Sequence, residues 1–356
     1  MHKKLFIPGP TEVLPEVLNA QTKPMFGHRM KEASELGTSV INKLKKVLET
    51  DKGIIVWTGS GSLIMEASLR NSVKKGVLNT ICGAFSERWH KMAKANGLPC
   101  GAIEVEWGKA ITPEMVDAEL ATGKYDVLCL THNETSTGVM NPTDAIADMV
   151  RERYPDVLIL VDAVSSLTGA RINVDKYDVV LTSTQKCVAL PPGLSFCTVS
   201  DRFLERAKTI EHRGHYTDFL LMKKYIDERG GQTPSTPNLA LYNALDFQLD
   251  RMLAEGMDAR YKRHSDMANR VRSWAKEHFD LFPEQGYESE TVTVIANTKG
   301  INVADLNKKL AERGLALANG YGKKLKEKTF RIAHMGDLQM KDVDELLAAI
   351  DDILGL

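Results

Sequence analysis

A turn rich in glycine and serine at residues 58–62 (TGSGS) is the first segment whose residue types suit ligand chemistry. It lies between the apolar residues 54–57 and a helical pattern at residues 62–73. Glycines let backbone amides approach an anion, and a helix N-terminus adds N–H groups and a favourable dipole. The third glycine of a dinucleotide fingerprint is replaced by Ile64, and no P-loop lysine follows. We therefore predict a phosphate-binding turn, with a plain helix cap as the alternative.

Two ionisable residues follow apolar segments later in the chain. Asp162 ends residues 157–162 (VLILVD), and Lys186 lies between residues 178–182 (DVVLT) and a Pro-Pro-Gly loop at residues 191–193. An aspartate there could keep the ring nitrogen of a pyridine cofactor protonated, or it could cap the next helix. A partly buried lysine suits a Schiff-base role. The informative feature is the order: a phosphate turn, an aspartate, and a lysine 24 positions after that aspartate.

Alternating strand and helix patterns indicate the framework that positions these residues. Helical patterns such as residues 144–154 separate short apolar segments, which predicts an α/β fold with a doubly wound, mostly parallel sheet. Such sheets bind ligands at the carboxyl ends of their strands. The predicted strands are residues 54–57, 126–131, 157–162, 178–182 and 194–199.

The C-terminal third has a different pattern, which predicts a smaller α+β domain. A long, highly charged helical stretch at residues 238–278, interrupted at Gly256, connects the two parts, and its basic residues 260–272 are interpreted as a solvated face. After it we predict a strand, a helix, a strand and a helix at residues 291–296, 303–313, 329–334 and 341–354. We expect residues 1–18 to form an N-terminal arm, residues 19–250 the large domain and residues 251–356 the small domain.

Several motifs together resemble one family, the alanine/serine–glyoxylate (or pyruvate) aminotransferases among the class V enzymes that use pyridoxal 5′-phosphate (PLP). The resemblance keeps the order and spacing of the family over nearly the whole chain. It implies a fold type I PLP-dependent transferase and a homodimer with shared active sites. The motifs are residues 8–11 (PGPT), 27–29 (GHR), 58–62 (TGSGS), 132–138 (HNETSTG), 161–166 (VDAVSS), 183–186 (STQK) and 331–336 (RIAHMG).

The resemblance also implies a role for individual residues. Lys186 and Asp162 would be catalytic, Lys186 as the Schiff-base lysine of PLP and Asp162 as the partner of its ring nitrogen. The further cofactor contacts implied are Ser60, Gly61, Ser62 and Gln185 at the phosphate, Phe85 and Val164 on the two ring faces, Ser136 near the phenolic oxygen, and Thr233 from the other subunit. The implied substrate contacts are Pro8, Gly9 and Arg331, whose planar guanidinium suits an α-carboxylate.

This chain departs from the family pattern at two positions. Gly230 replaces a phosphate-binding tyrosine of some members, and Ser62 replaces a histidine of many. The expected activity is ping-pong transfer of an amino group from alanine or serine to glyoxylate or pyruvate. A phosphoserine aminotransferase is an alternative, because residues 28–29 (HR) and 212–215 (HRGH) add positive charge. A cysteine desulfurase-like lyase is less favoured, because the last cysteine, Cys197, lies in a predicted strand.

Composition argues against other classes of protein. The net charge is −1, with basic and acidic residues interspersed, so no nucleic-acid partner is expected. No apolar run reaches the length of a membrane span, and residues 1–6 lack the apolar core of a signal peptide. The five cysteines form no Cys-x-x-Cys pair, so neither disulfides nor a metal site is expected. We expect a cytoplasmic enzyme without a metal.

Overall fold

The computed structural model describes residues 2–356, and its strands build two sheets and a short hairpin. The strands are β1 (Lys4–Phe6), β2 (Gly53–Thr58), β3 (Val77–Ile81), β4 (Cys100–Glu104), β5 (Val127–Thr131), β6 (Asn133–Glu134), β7 (Val139–Met140), β8 (Leu158–Asp162), β9 (Val179–Ser183), β10 (Leu194–Val199), β11 (Asp280–Leu281), β12 (Val292–Ala296), β13 (Leu315–Asn319) and β14 (Thr329–Ala333).

The helices cover both faces of the larger sheet and one side of the smaller sheet. They are α1 (Pro15–Asn19), α2 (Lys31–Val47), α3 (Gly61–Ser72), α4 (Ser86–Ala95), α5 (Pro113–Leu120), α6 (Thr143–Arg153), α7 (Asp201–Lys208), α8 (Phe219–Glu228), α9 (Leu239–Glu255), α10 (Met257–His278), α11 (Val303–Glu312), α12 (Gly322–Leu325) and α13 (Met340–Leu354). None of them is both long enough and apolar enough to span a membrane, within residues 2–356.

The large sheet has the strand order β2-β10-β9-β8-β5-β3-β4 and is parallel except at β10, which runs antiparallel to both of its neighbours. Strand β8 shows why the central strands are continuously apolar. Its residues Ile159 and Val161 pack into the core on one face, whereas Leu158 and Leu160 pack into the core on the other. The predicted α/β architecture with a mostly parallel sheet is confirmed.

The small sheet combines the two ends of the chain. Its order is β1-β13-β14-β12-β11, with β1 parallel to β13 and the other pairings antiparallel. Helices α10, α11 and α13 share a hydrophobic core with this sheet. Because β1 is paired with β13 in the small sheet, the residues that follow β1 are held at the boundary between the small sheet and the large sheet.

Seven strands have no counterpart among the predicted elements: β1, β3, β4, β6, β7, β11 and β13. Buried polar residues interrupt the apolar pattern of β3, in which Asn79 and Thr80 are 0% and 2% exposed. Strand β4 lies at the sheet edge, and its sequence shows no clear alternation of buried and exposed side chains. The predicted interruption of the long helix is present, since α9 ends and α10 begins at Gly256, whose φ is +82°.

Candidate active site

The glycine–serine turn connects β2 to α3 at the carboxyl end of the large sheet. Ser60 is the N-cap of α3 and Gly61 its first residue. A Cβ added to Gly61 would lie 2.6 Å from Cγ2 of Val164, so the glycine allows the helix N-terminus to approach the end of β8. The N-terminal turn of α3 therefore lies beside Val164, and N–H groups that have no partner within the helix at such a terminus suit an anion.

Asp162 is the last residue of β8 and is 6% exposed. Its Oδ1 accepts a hydrogen bond of 2.8 Å from the backbone N–H of Val164. Burial raises the pKa of Asp162 to about 6, with a further contribution from the negative charge of Glu134. The carboxylate is thus held in a fixed orientation and remains ionised at neutral pH.

Lys186 follows β9 and meets the segment after β1. Its Nζ donates a hydrogen bond to the carbonyl oxygen of Pro8, and a Cβ on Gly9 would lie 2.6 Å from Lys186 Cδ. The N–H of Thr11 donates to the carbonyl of Gln185 at 3.1 Å, and its hydroxyl donates to the carbonyl of Lys186 at 3.0 Å. Burial lowers the pKa of Lys186 to about 8. The predicted residues Pro8 and Gly9 therefore contact the lysine directly.

One cavity of about 140 Å³ brings most of the predicted residues together. It is lined by Ser60, Gly61, Ser62, Phe85, Asp162, Val164, Gln185 and Lys186, all of which were expected at the cofactor. It is also lined by six residues to which sequence reasoning gave no role: Met65, Arg88, Asn133, Thr135, Ser165 and Ser183. The strand-end positions of Asn133, Thr135, Ser165 and Ser183 are the signal that would have identified them.

Two aromatic side chains and an arginine lie in contact between this cavity and the small sheet. The ring of Phe85 lies 5.0 Å from that of Tyr321, and the guanidinium carbon of Arg331 lies 5.4 Å from the Tyr321 ring centroid. Arg331 donates from Nε to the carbonyl of Asn319 at 3.0 Å and from Nη1 to the carbonyl of Thr135 at 3.4 Å. Burial lowers the pKa of Arg331 to about 10, which leaves it charged at neutral pH.

Glu134 is a buried residue of this region that sequence reasoning did not single out. It is 0% exposed, and its carboxylate accepts hydrogen bonds from the backbone N–H groups of Phe85, Ser86 and Ser136 at 3.1, 2.8 and 3.0 Å. The hydroxyls of Ser86 and Ser136 donate to it as well. It therefore fixes the start of α4 and, with it, the ring of Phe85.

Two expected cofactor residues lie outside the cavity within this chain. Ser136 is fully buried against Glu134, and its neighbour Thr135 lines the cavity instead. Thr233 lines a separate pocket, and its hydroxyl donates to the carbonyl of Ser235 at 2.7 Å. The structure thus joins the lysine, the aspartate and the helix N-terminus, but not these two side chains.

Among the unpaired polar atoms of the cavity, a hydroxyl can donate to a phosphate ester, and two amide oxygens can accept from protonated groups of a polar ring. Within residues 2–356, the buried atoms Asn133 Oδ1, Ser183 Oγ and Gln185 Oε1 have no hydrogen-bond partner, although buried polar atoms normally do. All three residues line the cavity that Lys186 enters. On a mostly parallel sheet of this kind, a partly buried lysine that shares a cavity with a strand-end aspartate is typical of the fold type I class of PLP-dependent enzymes.

Comparisons with known proteins identify the family within this class. The family model Aminotransferase class-V matches residues 9–345. An uncharacterized aminotransferase of Methanocaldococcus jannaschii is 40% identical, covering 98% of this chain and 92% of the relative. The serine–glyoxylate aminotransferase of Methylorubrum extorquens is 32% identical, covering 94% and 86%, respectively. The crystal structure of alanine–glyoxylate aminotransferase from Nostoc sp. has a TM-score of 0.92 at 28% identity, covering 99% and 96%. The chain belongs to the class V aminotransferases, which are PLP-dependent.

Proposed function

We propose that this aminotransferase moves the amino group of a small amino acid, alanine or serine, to glyoxylate or pyruvate by a ping-pong mechanism. The observation that carries the proposal is the convergence of Lys186, Asp162 and the N-terminus of α3 on one cavity. The donor and acceptor classes are supported by the serine–glyoxylate aminotransferase relative at 32% identity.

Each residue of the site has a defined task in this proposal. When bound, PLP supplies an electron-deficient ring that withdraws electron density from the substrate's Cα. Asp162 stabilises a proton on the ring nitrogen, while Phe85 and Val164 exclude water from the ring faces. The Lys186 amine, whose pKa burial lowers to about 8, would carry the proton between the substrate's Cα and the cofactor carbon that takes up the amino group. Arg331 binds the α-carboxylate.

Two of the basic side chains that kept phosphoserine open as a donor, Arg29 and Arg213, are engaged elsewhere. Arg29 donates to the carbonyls of Thr233 and Pro234 at 2.6 and 2.7 Å. Arg213 donates to the carbonyl of Ala207 at 3.1 Å and forms an ion pair of 3.2 Å with Asp218. These contacts favour a donor without a second anionic group.

The cysteines argue against the desulfurase alternative. Cys197 lies in β10, as expected, and Cys187 is buried beside Lys186 with its Sγ directed to the carbonyl of Ser165 at 3.4 Å. Burial raises the pKa of Cys187 to about 12, so its thiol is a poor nucleophile at neutral pH.

We also propose a homodimer in which Thr233 completes the phosphate site of the partner subunit. In its own subunit Thr233 faces a different pocket from Lys186, which supports donation across an interface. Arg29, which precedes α2, donates a hydrogen bond to the loop that carries Thr233. The division into residues 1–18, 19–250 and 251–356 belongs to this proposal, with the first segment as an arm.

The absorption spectrum of the purified holoenzyme tests the proposed function. Single amino acids are added without any keto acid, and the loss of the PLP band is followed for alanine, serine, phosphoserine, aspartate and cysteine. We expect alanine or serine to react with the largest kcat/KM, and glyoxylate or pyruvate to restore the band. A larger kcat/KM for phosphoserine would contradict the donor assignment.

A further inference from the structure

Tyr321 occupies a fixed position at the boundary of the two domains. It precedes α12 in the connection between β13 and β14. A Cβ on Gly320 would lie 1.9 Å from the carbonyl oxygen of Leu325, so only glycine allows the chain to turn here with this close approach. Nζ of Lys324 lies 4.5 Å from the ring centroid of Trp107, which attaches the same connection to the large domain.

The Tyr321 ring contacts two groups that a substrate must approach. It packs on Phe85, with ring centroids 5.0 Å apart and planes inclined at 54°. It also lies against the guanidinium of Arg331, whose Cζ is 5.4 Å from the Tyr321 ring centroid. The amine of Lys186 lies 6.0 Å from the Phe85 ring centroid. A substrate whose carboxylate is bound by Arg331 and whose Cα is near Lys186 therefore has its side chain bounded by Phe85 and Tyr321.

We propose that Tyr321 is a specificity-determining residue that restricts the amino donor to side chains of the size of methyl or hydroxymethyl. This inference rests on the proposed function, because it assigns the donor's size to the same site. A branched or aromatic donor side chain would have to displace the Tyr321 ring from Phe85 and from Arg331. Hydrophobic contacts discriminate by about tenfold or more for each added methylene.

The experiment compares Tyr321→Ala and Tyr321→Val with Tyr321→Phe, which keeps the ring. The control is Tyr154→Ala, since Tyr154 lies between α6 and the start of β8, at the amino end of that strand, whereas the site lies at the carboxyl end. Stopped-flow absorbance of each holoenzyme measures kcat/KM for alanine, serine, leucine and phenylalanine without a keto acid. We expect the leucine-to-alanine ratio to rise at least about tenfold in Tyr321→Ala, less in Tyr321→Val, and not in Tyr321→Phe or Tyr154→Ala.

Two results would overturn the inference. The first would also reject the proposed function, whereas the second would reject only the role of Tyr321. If the wild-type enzyme reacts with leucine as fast as with alanine, the small-donor function fails and Tyr321 restricts nothing. If the wild-type enzyme prefers alanine, and Tyr321→Ala and Tyr321→Val bind PLP with the wild-type spectrum but keep that preference, the Tyr321 inference alone is wrong.

Discussion

At the scale of single residues, the site depends on burying opposite charges in one cavity. Asp162 is buried and Lys186 is partly buried, and the loss of water shifts their pKa values in opposite directions, to about 6 and about 8. The neutral form of each group is thereby favoured relative to water. A lysine in this state is suited to exchange protons near neutral pH, which an exposed lysine is not.

The lowered pKa of Lys186 predicts that Lys186→Met stabilises the cofactor-free protein at pH 7, by about 1–3 kcal/mol. Between pH 8 and pH 10.5 the unfolded chain binds more protons at this lysine than the folded chain does. The wild-type protein should therefore gain stability relative to the variant as pH rises through this window. Urea unfolding at pH 7 and pH 10 measures the difference, with the exposed Lys74→Met as control. A stability gain that does not depend on pH would contradict the explanation.

At the scale of elements, the site depends on close contact between α3 and the end of β8. Gly61 makes this contact possible, because its missing Cβ leaves room for Val164. The sequence pattern predicts both elements and the turn between β2 and α3. In the sheet, β2 and β8 are separated by β10 and β9. The contact between this turn and residue 164 is therefore set by the order of the strands in the sheet, which the local sequence does not give.

Gly61→Ala should weaken PLP binding, because the added Cβ would lie 2.6 Å from Val164 Cγ2. Overpacking of this kind costs about 1–3 kcal/mol, and a penalty of this size in the PLP-bound state should raise the Kd for PLP by roughly 5- to 150-fold. Titration of the cofactor-free protein with PLP, followed by absorbance, gives this Kd. Gly59→Ala is the matched control, because its Cβ would meet only the flexible Leu63 side chain, at 2.8 Å. Equal affinities for the two variants would show that the contact with Val164 does not matter.

At the scale of the whole molecule, Arg260 connects the small domain to the segment that carries Lys186. The interpretation of residues 260–272 as a solvated face is wrong for this residue, which is 1% exposed. It donates to the carbonyls of Thr168 and Cys187 at 3.1 and 2.7 Å. It also pairs with Glu255 at 2.8 Å and Asp337 at 3.1 Å.

Arg260→Ala should therefore lower the free energy of unfolding by about 3–5 kcal/mol, because it leaves buried Asp337 with one partner fewer. Arg270→Ala, on the same helix, should change it by less than about 1 kcal/mol, since the Arg270–Asp344 ion pair is exposed. Urea unfolding of the two cofactor-free variants provides the comparison. Similar losses in both would mean that Arg260 contributes no more than a surface residue.

The sequence by itself determined most of the central strands of the large sheet and the order of the principal site residues. Continuous apolar segments identify buried parallel strands, and the strand ends identify Asp162 and Lys186 as neighbours at one sheet edge. These properties depend on local periodicity and on a general rule of α/β sheets. The separate helices α9 and α10 are likewise apparent from Gly256.

Only the tertiary structure decided which residues from distant parts of the chain complete the site. Pairing of β1 with β13 directs the carbonyl of Pro8 onto Lys186, and packing of the small sheet's connections against the large sheet sets Tyr321 against Phe85. Glu134 acts through the backbone N–H groups of Phe85 and Ser86, and no sequence pattern reports such a contact. These contacts join residues far apart in the chain, so they are set by sheet pairing and tertiary packing rather than by local sequence.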